Sequence, residues 1–315
     1  MTSSNYSSVI LETLIPESLP GFALYLCANN KYTLYKGADL PFTNKDRQRL
    51  LNNDVSHLYV LSSEIGHYNL YVEQNLGDIL TDDKIPIYKK QEILCQTAVN
   101  YVHEIFEQPA KNIKGNLHRC VNLIQYILSD HFNPQQLMET LGQLVAHSSY
   151  TYVHTIQVSS YLVSFFKQIP NIDDDLLLDI AIGGVFHDFG KSYIPQRILD
   201  KPDKLTVLEF EDIKQHSEQG YYVLDQLVIF NPVALDIVKH HHEKADGSGY
   251  PDGLESDSIS RYAKSASICD VYSALTTDRS YRKKINKDAA LDIMSNHMKG
   301  HFDQYYLTIF RNMLD

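Results

Sequence analysis

His240-His241-His242-Glu243-Lys244-Ala245-Asp246-Gly247-Ser248-Gly249-Tyr250-Pro251 is the stretch on which the reading of this chain turns. It closes a helical pattern that begins at Pro232 and passes directly into a Gly/Asp-rich loop. Consecutive histidines on a helix spread over about 200° of arc for a run of this length, so two can straddle one point and the third must turn elsewhere. The loop glycines allow positive φ and close backbone approach to a ligand, and Pro251 stiffens the turn. Taken alone, the run reads equally well as a solvated helix end, and the loop as an ordinary turn.

Other histidines and carboxylates lie on either side of this stretch. Upstream stand His187-Asp188, with Gly190-Lys191 behind them, and then His216; downstream stands Asp270. No cysteine falls in the pattern. Neutral imidazole with carboxylate is a ligand set for divalent transition metals, which points to a hydrolytic Fe, Mn or Zn site and away from structural Cys-type zinc. His187 and Asp188 are expected at the C-terminal end of a buried helix over Asp173–Val185, just before Gly190 can end it. Neighbours on a helix diverge by about 100°, so the two can clasp a metal beside the helix end. The two oxygens of Asp188 can bridge two ions, and ions about 3.5–4 Å apart polarise a phosphoryl group and generate hydroxide near neutral pH. The competing reading of the dipeptide is a hydrogen-bonded core couple. Asp270 lies among Ala266, Ile268, Val271 and Ala274, where an unpaired carboxylate is costly. Either a metal or an arginine, Arg261 or Arg279, would remove that cost.

Composition sets the outer bounds. The chain has 315 residues, enough for two domains with ordinary cores, and is 43% hydrophobic and 21% charged, which excludes a disordered chain. A net charge of −11 argues against charge-driven binding to DNA, RNA or a membrane surface. A small anionic ligand stays compatible with it, because bound metal ions dominate the local field. Cys27, Cys95, Cys120 and Cys269 are scattered without a CxxC pair, as expected of free thiols in a reducing compartment. Met1–Tyr6 lacks a basic n-region, no apolar h-region follows, and no apolar run approaches the ~20 residues of a membrane span. The expected location is cytoplasmic.

The period of the pattern changes along the chain. Short β-favouring runs occupy Phe22–Cys27, Tyr32–Tyr35, His57–Leu61 and Tyr68–Val72, with a short helix over Asn44–Leu51 capped by Thr43 or Asn44. Residues 1–108 are therefore expected to form a small α+β domain with a regulatory or sensory role. The period turns helical from Ile85 onward, with a first helix over Tyr88–Glu107, and residues 109–144 read as a helical linker. Residues 145–315 read as helices joined by loops: Thr206–Leu227 opens with a Thr206/Glu209 capping box, and Pro232–Glu243, Ser260–Thr276, Asn286–Met298 and Asp303–Leu314 follow. The fold class is two domains, α+β then all-α.

The second half resembles the HD-GYP family, a branch of the HD-domain metal-dependent phosphohydrolases. The residues that carry the resemblance are His187-Asp-Phe-Gly-Lys191, Ile194-Pro195, Leu199-Asp-Lys-Pro202, His216 with Gly220, His241-His242-Glu243 with Asp246-Gly-Ser-Gly-Tyr-Pro251, and Asp270-Val-Tyr-Ser-Ala-Leu275 with Arg279-Ser-Tyr-Arg282. The resemblance implies an all-helical HD-type domain that hydrolyses cyclic di-GMP to linear pGpG or to GMP with iron or manganese, zinc being a third option. It implies His154 as the first ligand and Asp188 as the bridge. His216, His241 and His242 would complete one ion, and Asp270 would close the other with His154 and His187. His240 would be left facing solvent. Lys191, Arg279 and Arg282 would contact phosphate, and Gly249 and Tyr250 would line the substrate side. It also implies control through a dimeric regulatory segment, for which the helices from 88 to 147 are candidates.

The sequence departs from the family pattern at three places. Tyr150 stands where members with a third ion carry Glu, so two divalent ions are expected. Ala245 replaces a large aromatic before the loop, and Arg282 replaces Lys with its charge kept. The leading expectation is a binuclear phosphodiesterase in which hydroxide bridging the ions attacks cyclic di-GMP, with Asp188 and Lys191 as catalytic residues. Ala245 motivates a second expectation, a weakly catalytic module that binds cyclic di-GMP or a signalling partner. A third is hydrolysis of another nucleotide, since fold does not fix function.

Overall fold

The computed structural model describes residues 5–107, 113–128, 132, 134–144, 150–201, 203–278 and 283–314. The chain divides into two compact units, Met1–Asn100 and Tyr101–Asp315.

The N-terminal unit is built on strands β1 (Tyr6–Ile10), β2 (Leu24–Ala28) and β3 (Lys31–Lys36), helix α1 (Asn44–Leu51), strand β4 (His57–Leu61), and helices α2 (Ile65–Gln74) and α3 (Leu76–Thr81). The four strands form one antiparallel sheet in the order β1-β4-β2-β3. β2 and β3 are joined by Asn29 and Asn30 at φ of 50° and 59°, positive angles that suit a tight hairpin and that Asn tolerates. Val9, Leu24, Leu58 and Val60 are buried on the sheet. α1 starts at Thr43, whose side chain accepts from the Asp46 amide while Asp46 reaches back to the Thr43 amide, a closed capping box.

One expectation fails here. Tyr68–Val72 has strand-favouring residues but lies inside α2. Tyr68, Tyr71 and Val72 fall at i, i+3 and i+4, so a helix buries all three on one face. The Tyr68 hydroxyl accepts from the Ile10 amide and pairs with Thr13, and the Tyr71 hydroxyl accepts from the Ile15 amide and pairs with Ser18. These tertiary bonds decide against local propensity. β1 was not foreseen at all; its pairing to β4 makes Tyr6–Ile10 a strand.

The chain continues through α4 (Ile87–Glu107), α5 (Ile113–Leu128) and α6 (Pro134–Leu144), and then α7 (Tyr150–Phe166) and α8 (Asp174–Phe186). A short 3-10 turn over Phe189–Tyr193 leads to α9 (Gln196–Leu199), α10 (Val207–Asp225) and α11 (Pro232–His240). α12 (Arg261–Thr276), α13 (Lys287–Asp292) with a π turn over Ile293–His297, and α14 (Gln304–Leu314) complete it. The C-terminal unit contains no strand among the described residues, so the chain is a small mixed unit followed by a helical one.

α8 is the centre of the helical unit. Asp173 caps it through the Leu176 amide, and from Ile180 to Phe189 every residue is buried. It packs against α7 on one side and α11 on another. α10 packs on α11 and on the 3-10 turn, and α12 packs on α7 and α11. α10 has the expected capping box from Thr206 and Glu209, and α12 is capped by Ser260. Among the described residues no helix is long and apolar enough to cross a membrane.

Candidate metal centre

Three helices and the C-terminal ends of two more deliver the polar residues to a common point. α8 stops at Phe186, so His187 is its C-cap and Asp188 begins the turn behind it. Gly190 was expected to end that helix. Its structural role is different: a Cβ there would lie 1.8 Å from the His216 carbonyl oxygen, so only glycine lets the turn sit against α10. α10 contributes His216, α7 contributes His154 and α12 contributes Asp270. α11 ends at His240, with His241 as its C-cap. The arc argument for three helical histidines therefore gives way to one helical residue and two in the turn. His240 does not face solvent: its Nδ1 pairs with Asp236 Oδ1 at 2.8 Å and its Nε2 with Asp252 Oδ2 at 3.1 Å.

Three of the imidazoles are held from behind by backbone carbonyls. His187 Nδ1 is 2.7 Å from the Gly184 carbonyl, His216 Nδ1 2.6 Å from the Ile213 carbonyl, and His241 Nδ1 2.9 Å from the Val238 carbonyl. A carbonyl oxygen only accepts, so the proton of each neutral ring sits on Nδ1 and the Nε2 lone pair points inward. The inward nitrogens then face one another and Asp188, and among the described residues only Lys191 supplies a donor, to Asp188 Oδ2. His216 Nε2 and His241 Nε2 are 3.3 Å apart. Asp188 Oδ1 is 3.4 Å from His216 Nε2, and Asp188 Oδ2 is 3.4 Å from His187 Nε2. His187 Nε2 is buried with no hydrogen-bond partner among the described residues. Lone pairs converging at these distances repel unless a cation lies among them, and this donor set of imidazole nitrogen and carboxylate oxygen fits a divalent transition ion.

Asp188, His216, His241 and His242 bring one ligand atom each within 4.8 Å of one another, and so do His154, His187 and Asp188. Asp188 belongs to both groups. Asp270 Oδ1 lies 2.9 Å from His154 Nε2 and 4.0 Å from His187 Nε2, and its Oδ2 is 3.9 Å from His242 Nδ1. No arginine pairs with it among the described residues; Arg261 instead reaches the Tyr262 hydroxyl.

The electrostatics follow from burial among these groups. Burial drives His216 down to about 4 and His242 down to about 3, and it pushes His154 and His241 down as well. His187 moves the other way: burial opposes its charging, but Asp188 and Asp270 outweigh it and raise its pKa. A nitrogen that these carboxylates make attractive to a proton is equally attractive to a metal ion. Burial works against ionising Asp188 and Asp270, yet Lys191 and the histidines hold Asp188 well below the usual carboxylate range, and His154 does the same for Asp270.

Lys191 Nζ donates to Asp188 Oδ2 at 2.6 Å and is partly exposed. The Tyr250 ring lies 4.7 Å from the His242 ring and 6.4 Å from that of His216. Gly249 packs against the chain itself, since a Cβ there would fall 2.5 Å from Glu243 Cα. Arg279 and Arg282 lie outside the described residues. Tyr150 stacks on His154 at 5.1 Å, and the Ala245 amide donates to the His301 carbonyl.

Sequence reasoning missed the residues behind the ligands. Glu243 is buried and accepts from three successive amides, those of Asp252, Gly253 and Leu254, at 2.7, 3.1 and 3.0 Å. Ser273 Oγ lies 2.9 Å from His154 Nδ1 and donates to Gln157 Oε1. A carboxylate following two ligand histidines was a usable signal for the first; nothing in the pattern marked the second.

Residues 129–305 match the family described as HD domain. A cyclic di-GMP phosphodiesterase of Pseudomonas aeruginosa is 31% identical over 218 residues, which is 69% of this chain and 52% of that protein. A 3'3'-cGAMP-specific phosphodiesterase of Vibrio cholerae is 33% identical over 169 residues, 53% of this chain and 39% of that protein. The chain thus spans about half or less of the length of these curated relatives. Among solved structures, an HDG"Y"P protein from Bdellovibrio bacteriovorus shares the fold, with a TM-score of 0.67 and 20% identity over 98% of this chain and 99% of that one.

Proposed function

The chain belongs to the HD-GYP branch of the HD-domain family, and from that premise we propose that it is a metal-dependent phosphodiesterase acting on cyclic di-GMP in bacterial second-messenger signalling. The product is linear pGpG, GMP or both. The observation that carries the reading is Asp188. It is buried, and its two oxygens each stand 3.4 Å from an imidazole nitrogen whose lone pair is aimed inward, one on His187 and one on His216.

We assign two divalent positions. His154, His187 and Asp270 would hold one, His216, His241 and His242 would hold the other, and Asp188 would serve both. Iron or manganese suits this nitrogen and oxygen set, and zinc is chemically admissible. Metal ions so placed, when bound, neutralise phosphate charge and activate water near neutral pH.

The protein's own residues do the rest. The carbonyls of Gly184, Ile213 and Val238 fix ring orientation, so no reorganisation is needed when substrate arrives. Lys191 holds a positive charge beside Asp188, where it can meet a non-bridging phosphate oxygen. Tyr250 walls the site next to His242, on the substrate side with Gly249. Arg279 and Arg282 are proposed as further phosphate contacts. Residues 1–108 are proposed as a regulatory domain and 109–144 as its helical connection to the phosphohydrolase domain, 145–315, with a dimer or a signalling protein as its partner.

A second reading is supported by the Vibrio cholerae relative named for 3'3'-cGAMP. It keeps the chemistry and changes one base of the cyclic dinucleotide. Single-turnover assays with cyclic di-GMP and 3'3'-cGAMP side by side separate the two. The protein is purified without oxygen, loaded with Fe(II) or Mn(II), and assayed for metal on the same sample. Product from cyclic di-GMP at about two metals per chain is the expected result. Fully loaded protein that releases product from neither nucleotide would remove the phosphodiesterase reading.

A further inference from the structure

Behind His154 runs a buried chain of polar groups. His154 Nδ1 lies 2.9 Å from Ser273 Oγ, Ser273 Oγ lies 3.0 Å from Gln157 Oε1, and Thr277 Oγ1 lies 2.9 Å from the same oxygen. All four side chains are at least nine-tenths buried. An amide oxygen only accepts, so both hydroxyls donate to it. Ser273 has one proton and has given it to Gln157, so its oxygen must accept from His154 Nδ1–H. The direction of the whole chain is therefore set by Gln157; in the neutral ring it leaves His154 Nε2 unprotonated facing Asp270 Oδ1 at 2.9 Å, two acceptors that a cation between them would reconcile.

We propose that Gln157, acting through Ser273, is a positioning residue that fixes which nitrogen of His154 carries the proton and so keeps Nε2 available as a metal ligand. This rests on the metal-dependent reading of the site. Thr277 pins the Gln157 oxygen by occupying its second lone pair. Without an acceptor at 157 the Ser273 hydroxyl turns and donates to Nδ1, which transfers the imidazole proton to Nε2, the ligand atom. His187, His216 and His241 use backbone carbonyls for this purpose, whereas His154 uses a side-chain relay. His154 belongs to only one of the two ligand groups, so the relay acts on one metal position.

The test is Mn(II) binding to the full metal-free chain, followed by electron paramagnetic resonance of the free ion. Gln157→Met, Gln157→Glu and Ser273→Ala are compared with wild type, with circular dichroism on each. Gln157→Met and Ser273→Ala are expected to weaken one of two Mn(II) positions by about 10–100-fold, the range for losing a partner behind a ligand, and to leave the other unchanged. Gln157→Glu, whose carboxylate also only accepts, is expected to keep wild-type affinity at both. Equal weakening of both positions, no weakening at either, or a Glu variant that behaves like the Met variant overturns the relay. Should Gln157→Met fail to fold, Ser273→Ala gives the same comparison. Wild-type protein that binds no pair of Mn(II) ions removes the functional reading itself, and the relay with it, a result distinct from unaltered binding by the variants.

Discussion

Asp46 in the N-terminal unit and Asp188 in the helical unit are both partly or fully buried carboxylates paired with a lysine, and they differ in what else surrounds them. Asp46 accepts from Tyr35 at 3.1 Å, from the Thr43 amide at 2.8 Å, from the Thr43 hydroxyl at 2.6 Å and from Lys36. Every neighbour is a donor, and the carboxylate is finished. Among the described residues Asp188 accepts from Lys191 alone, and its other neighbours are imidazole nitrogens whose protons are committed to backbone carbonyls. Clusters of polar residues are common in cores. The one built for a ligand is recognised by missing donors, not by the number of charges.

Substituting the two carboxylates in the same way gives the widest separation. Asp188→Asn is expected to lose bound metal and at least about 100-fold in turnover, more than the loss of a partner behind a ligand costs. Asp46→Asn is expected to keep both. Metal analysis and single-turnover rates on the two variants check this, and a fully active Asp188→Asn enzyme would sink the proposed site. Next in size is chelation. Removing metal from wild type should lower its stability by about 2.7 kcal/mol for each site held at a hundredfold excess over Kd. Asp188→Asn should melt at the same temperature with or without chelator, as scanning calorimetry would show.

Acid should separate the two regions again, in the metal-free protein. His216 and His242 sit at about 4 and about 3 in the folded state against 6.5 when free, because burial disfavours their charge. Below 6.5 the unfolded chain binds protons that the folded one refuses, so their contribution to stability falls as pH drops from 6.5 toward 4. His154 and His241 act in the same direction, and His187 and His240, whose values are raised, oppose it. The melting temperature of metal-free protein should decline over that window, and bound metal should delay the decline. A flat profile from 6.5 to 4 would contradict the burial of neutral imidazoles. Asp46 acts lower: burial raises its pKa, but Lys36 and Thr43 overcome this and leave it at about 2 against 3.8. Its stabilisation is intact above 3.8 and is lost as pH falls toward 2. The smallest expected effect is that of Asp46→Asn near neutrality, about 1 kcal/mol from a weakened cap, measured by denaturant unfolding.

What could be read from the sequence follows the range of the interactions. Helix starts at Thr43, Asp173, Thr206 and Ser260 were legible because a cap and its amide partner are local. The histidines and carboxylates of the helical unit were legible as a candidate metal-binding set because few other uses demand that mix, and the structure brings them together as a cluster able to hold metal. Tyr68–Val72 was misread because its tyrosine hydroxyls answer to Ile10, Thr13, Ile15 and Ser18, far away in the chain. The exit of His240 was missed although Asp236 stands four residues before it, a helical pairing distance that the sequence does show; Ser273, a small polar residue with no pattern around it, was illegible. Gly190 was assigned to helix termination when it is required for contact with α10, a distinction that spacing does not carry.

Glu243 follows His242 directly and grips the backbone at Asp252, Gly253 and Leu254. The segment between them is consequently a closed hook rather than a strap with a free end. A hook transmits changes of length instead of absorbing them: one residue inserted between Lys244 and Pro251 would strain the grip and twist His242. Diversification of this edge of the site is thereby confined to exchanging side chains on a frame of constant span, and position 245, held by its main chain to His301 and Ser256, is where such an exchange leaves the hook undisturbed.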